Sequence, residues 1–73
     1  MSDDFVPHDK VDTVIRKLQK LKLSLAEHPH LTNFLNRLVA NRVHKINVPV
    51  SQSDKENMKR ELKKIRRRWP ELF

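Results

Sequence analysis

The stretch Ser53–Phe73, SDKENMKRELKKIRRRWPELF, decides how the rest of the chain is read. Ser53-x-x-Glu56 has the form of a capping box, in which a hydroxyl accepts the amide N–H three residues on and the Glu side chain reaches back. Behind it Met58, Leu62, Ile65 and Trp69 fall at i, i+4, i+7 and i+11, an apolar stripe at the helical period. Arg60, Lys63, Lys64 and Arg67 take the opposite side, Lys59 and Arg66 flank the stripe, and Arg68 completes the basic run. Pro70 disfavours helical geometry at the residue before it, so a helix over 54–68 ends at about Trp69. The apolar edge of such a helix needs a partner, and its other face is strongly positive.

Moving outward, Lys45-Ile46-Asn47-Val48-Pro49-Val50 alternates polar and apolar, the period of a strand. Pro49 demotes it to an edge strand or an extended connector, with Ile46, Val48 and Val50 laid across the helices. Before it, Leu31, Phe34, Leu35, Leu38 and Val39 form a second stripe, with Val43 near its edge, and predict a helix over 30–43. Val11, Val14, Ile15, Leu18 and Leu21 form another, predicting a helix over 9–22 with Asp9 as N-cap and Asp12 in its first turn. Leu23 falls off that stripe, so the period breaks at Lys22–Leu23. Ser24-x-x-Glu27 then offers a second capping box, for a short helical turn at 25–28. Residues 1–8 have little pattern and read as a mobile arm, although Asp3-Asp4-Phe5-Val6 has the acid-then-apolar form of short docking segments. The expectation is an all-α protein: one domain over 9–73, a bundle of three to four helices with an extended connector before the last. Its core is built from Leu18, Leu21, Phe34, Leu35, Leu38, Met58, Leu62, Ile65 and Trp69.

The composition bounds the function. A chain of 73 residues buries only roughly 60% of the surface its unfolded form exposes, so its stability depends on efficient packing or on a partner. Cysteine and glycine are both absent, which removes disulfide staples, thiolate metal sites and phosphate-cradling glycine loops. No apolar run is long enough for a membrane span or a secretory signal, so the expected place is intracellular, nuclear in a eukaryote, with no membrane partner. Sixteen Lys and Arg against nine Asp and Glu leave a net charge of +7, and eight of those sixteen lie between Lys55 and Arg68. Such a concentration attracts polyanions or acidic segments.

Catalysis has little to stand on. There is no Cys nucleophile, no Gly-flanked Ser elbow and no metalloprotease His pair, so the chain is read as non-enzymatic and without cofactor. His28-Pro29-His30, with His8 and His44, lacks the thiolates and defined geometry of a structural zinc site and reads as turn histidines. Trp69, Phe5, Phe34 and Phe73 are the only aromatics, too few to interleave with the basic residues as base-stacking platforms do. A strand followed by a capped helix is also the arrangement of ribbon-helix-helix repressors, in which Lys45 and Asn47 would face bases. That motif's second helix is missing here, and a connector tacked down by its apolar residues is the plainer reading.

Three pieces resemble the N-terminal helical domain shared by the elongation factor TFIIS, elongin A and Mediator subunit 26. They are Leu18-x-x-Leu21 followed by Leu23-Ser24-Leu25, Leu31-x3-Leu35-Asn36-x-Leu38, and Ile65-x3-Trp69-x2-Leu72. Leu31-Thr32 stands where that family has Ile-Gly, and the connector at 47–51 is long for its position. The resemblance implies a right-handed helical bundle that docks short acidic, disordered segments of transcription factors. It implies structural roles for Trp69, Ile65 and Leu38, with contacts made by basic surface residues.

Two binding readings follow, both placed in gene expression. One is a docking module for an acidic and hydrophobic protein segment. The other is a small nucleic-acid binder that contacts duplex DNA or RNA backbone through its C-terminal helix. Either takes Lys59, Arg60, Lys63, Lys64, Arg66, Arg67 and Arg68 as the binding face, with Lys45 and Asn47 as additional contacts. A homodimer, its stripes paired across a two-fold axis, would also complete so small a core.

Overall fold

The first helix stops just before the apolar period breaks. The computed structural model describes residues 4–72, with side chains as far as Glu71; the expectations placed on residues 1–3, on the Leu72 side chain and on Phe73 lie outside the described residues. Helix α1 runs Val11–Lys20 and buries Val11, Ile15 and Leu18, one residue per turn on a single face. Leu21 is extended (φ −78°, ψ 141°) and its N–H donates to the Leu18 carbonyl at 3.1 Å, so the helix ends short of the expected residue 22. At its other end Asp9 is not the N-cap. The chain enters through a 3-10 turn, His8–Lys10, and Lys10 holds the N-cap position without a side-chain bond.

The loop after α1 is closed by its own polar groups. Glu27 N–H donates to Ser24 Oγ at 3.1 Å and His28 N–H to the Ser24 carbonyl at 2.7 Å, giving a hydrogen-bonded turn rather than a fourth helix. Helix α2, Pro29–Asn41, begins with proline at its first position, where the missing N–H costs nothing. It buries Leu31, Phe34 and Leu38, whereas Val39 and Val43, expected on or near the stripe, are exposed. A 3-10 turn, Arg42–His44, follows α2 and ends at Lys45 in the left-handed conformation (φ 51°).

Helix α3, Gln52–Arg68, starts two residues earlier than the capping-box reading places it. Its N-cap is Ser51, whose Oγ accepts the Asp54 N–H at 3.1 Å; Ser53 lies already inside the helix. The reason is local: Val50 ends a strand, Ser51 keeps extended backbone (ψ 161°), and it is the first hydroxyl placed to receive an N–H. Trp69 is the C-cap, and its N–H still reaches the Ile65 carbonyl at 2.8 Å before Pro70 ends the ladder.

Part of the expected N-terminal arm is a strand. β1 (Asp4–Val6) pairs antiparallel with β2 (Val48–Val50), matching Asp4 with Val50, Phe5 with Pro49 and Val6 with Val48. Period-two alternation turns Val48 and Val50 into the core with Val6 packed beside them, and leaves Phe5 and Pro49 outside. Ile46, expected beside those valines, precedes the paired segment and is half exposed. The protein is thus mainly helical, with three helices and a small two-stranded antiparallel sheet, so the all-α expectation holds only roughly.

Ion pairs mark how the helices run. Arg42 beyond the end of α2 meets Asp12 in the first turn of α1 at 2.7 Å, Arg37 of α2 meets Asp54 at the start of α3 at 3.5 Å, and Arg68 at its end meets Glu27 ahead of α2 at 3.3 Å. Helix α2 therefore lies antiparallel to both others and packs between them. Leu38 and Ile65, both fully buried, sit at the centre. Burial of each side chain contributes on the order of 1.5–3 kcal/mol.

Candidate functional site

Helix α3 meets the core through Met58, Glu61 and Ile65, while Leu62, one step round the helix, is only partly buried. That offset leaves a gap. A groove of about 300 Å³ opens between Leu18 of α1, Leu31 and Phe34 of α2, and Met58 and Leu62 of α3, with Lys55 and Lys59 on its rim. Its walls are apolar and its polar lining is cationic. A second recess of about 250 Å³, lined by Lys59, Leu62, Lys63 and Arg66, shares Lys59 and Leu62 with the first, so the two adjoin along α3. Lys55, Lys59, Leu62 and Arg66 thus follow one another at one-turn intervals along the rim, over roughly 16 Å of helix at 1.5 Å per residue.

The basic residues picked out in the sequence do not share one environment. Lys59, Arg60, Lys63, Lys64 and Arg67 are exposed, and no ion pair is formed by any of the five among the described residues. Arg66 is exposed and lines the second recess. Arg68 is diverted: its Nη1 lies 3.3 Å from both Glu27 carboxylate oxygens and its guanidinium stands 4.9 Å from the Trp69 ring centre. Lys22 approaches the same ring at 5.6 Å, so the half-buried Trp69 is bracketed by cations. A polar recess of about 430 Å³ lies next to this cluster, lined by Ala26, Glu27, Lys64 and Arg68.

Lys45 and Asn47 are not brought to the groove or its neighbouring recesses. Asn47 is engaged within the chain, its Oδ1 accepting the His8 N–H at 3.0 Å, and β2 pairs with the chain's own β1. His28 is 3% exposed and its Nδ1 accepts the Ser24 N–H at 3.3 Å; among the described residues no three metal-ligating side chains gather.

Two participants escape sequence reasoning. Lys55 stands one turn before Lys59 and two before Leu62, a spacing that does place it on the stripe's edge. Glu61 lies inside the run of basic residues yet is 5% exposed, its oxygens accepting the His30 and Leu31 N–H groups at 3.1 and 2.8 Å. A carboxylate from α3 therefore caps α2, which has no acid in its first turn and no side-chain cap of its own. This contact holds the start of α2, and with it Leu31, against α3 at the head of the groove.

Compared with protein-family models, with curated proteins and with solved structures, the chain matches none. No helix among the described residues is long and apolar enough to cross a membrane.

Proposed function

We propose that the protein is a non-enzymatic docking module that receives an acidic and hydrophobic segment of another protein in the groove beside α3. The observation that carries this reading is the juxtaposition of an open apolar groove with lysines along α3, of which Lys59 and Lys63 form no ion pair among the described residues. Buried apolar anchors supply most of the affinity at such sites, and charges around them steer the encounter and set the register. A place in gene expression, nuclear in a eukaryote, is supported by the sequence resemblance alone.

A second reading is favoured by a separate observation. Arg60, Lys64 and Arg67 follow at i, i+4 and i+7 on the outward side of α3, away from the groove and without ion pairs among the described residues. Such a row suits the phosphates of duplex DNA or RNA, whose binding falls steeply with salt through counterion release.

One experiment separates the two. Fluorescence anisotropy is recorded for a labelled peptide of Asp-Asp-Phe-Leu units and for a labelled DNA duplex, over a salt series. Docking predicts peptide binding that Lys59→Glu with Lys63→Glu reduces at least tenfold, while Arg60→Glu with Arg67→Glu reduces it much less. Duplex binding that is tighter than peptide binding and lost in the second pair of changes would reverse the assignment.

A further inference from the structure

The sheet register carries an acidic side chain to the rim of the groove. Asp4 lies opposite Val50, and Val50 is followed directly by Ser51, the N-cap of α3. Asp4 and Val6 share the inward face of β1 by alternation, so the Asp4 carboxylate is turned towards α3 and pairs there with the Lys55 ammonium. Lys55 is also one of the two rim lysines of the groove. Lys59, the other, has no acidic partner among the described residues.

We infer that Asp4 is a built-in competitor for the groove, holding one of its two rim cations until the carboxylate of an incoming segment displaces it. This rests on the docking reading above and adds a regulatory element to it. The chain's own Asp4-Phe5-Val6 has an acid followed by apolar residues, the chemistry proposed for the partner, so like is exchanged for like at Lys55. The contact is built to be exchanged. The Asp4 side chain is 59% exposed, and Lys55, at 33%, stays within reach of solvent. The strand that carries Asp4 is three residues long in a sheet of two strands, below the size at which such sheets are stable without support. Displacement leaves the helical core in place, because the buried side chains of α1, α2 and α3 do not include Asp4.

The same peptide of Asp-Asp-Phe-Leu units is titrated into the full chain, into Asp4→Asn, and into Asp9→Asn, which changes net charge equally at an exposed acid without an ion pair among the described residues. An exposed ion pair contributes little, so Asp4→Asn is expected to bind about two- to fivefold tighter than the unaltered chain, with Asp9→Asn unchanged. In a Lys55→Gln background the gain from Asp4→Asn disappears. Equal effects of Asp4→Asn and Asp9→Asn, or no gain from Asp4→Asn while Lys59→Glu with Lys63→Glu still weakens binding, overturn the competitor and leave docking intact. Peptide binding indifferent to Lys59→Glu with Lys63→Glu overturns docking and the competitor together.

Discussion

Glu61 shows how one residue can do what neither its own helix nor its neighbour supplies. It sits among lysines and arginines on α3, yet no basic side chain pairs with it among the described residues; its oxygens instead face two backbone N–H groups of α2. The positive end of the α2 dipole stands in for a counter-ion. Glu61→Ala leaves both N–H groups without their acceptor, one of them buried, and is expected to cost about 2–4 kcal/mol in urea unfolding. Glu61→Gln keeps one acceptor and directs an NH₂ at the other donor, so it should fall between. A Glu61→Ala protein as stable as the parent would show that solvent satisfies the start of α2 equally well.

At the scale of elements, the test concerns where α3 begins. Ser51→Ala removes the hydroxyl that caps the helix and is expected to cost about 1 kcal/mol, whereas Ser53→Ala, inside the first turn, should change stability by less than about 0.5 kcal/mol. The reverse order in chemical denaturation would restore the capping box at Ser53. The sequence carries two competing signals here. Ser53-x-x-Glu56 matches the motif, but Ser51-x-x-Asp54 fits a chain leaving a strand at Val50, and that strand's partner is forty-odd residues away. The three helices were legible because their stripes are periodic, as was the break after α1. Strand β1 was not, since three residues are too few to show a period. The cap from Glu61 was equally hidden, being a contact between residues thirty positions apart. The groove was hidden for a different reason: Leu18, Phe34, Met58 and Leu62 read as core, and only the angle at which their helices meet decides that they also line an opening.

For the whole molecule, the core is centred on Leu38 and Ile65 and thins towards Trp69. Ile65→Ala should cost about 2–5 kcal/mol, as expected for a fully buried side chain. Trp69→Ala, at a half-buried ring flanked by Lys22 and Arg68, should cost roughly half of the 3–5 kcal/mol typical of a buried aromatic, and should leave a folded protein. Thermal unfolding of the two variants checks the order; loss of the cooperative transition in Trp69→Ala alone would move the structural centre to the C-terminal end.

The pairing of β1 with β2 has a kinetic consequence. It closes a long loop, from Val6 to Val48, around all of α1 and α2. Helices form from neighbours in sequence, but this contact must first bring together two segments forty-odd residues apart, and the entropy of closing so large a loop is repaid by only three pairs of residues. The strand pair is therefore the last part of the fold to assemble and the first to let go, opening as a unit while α1, α2 and α3 stay packed. Each such opening takes Asp4 from Lys55, so the parting of the two strands gives the rim of the groove a second route of release beside exchange at the exposed side chains.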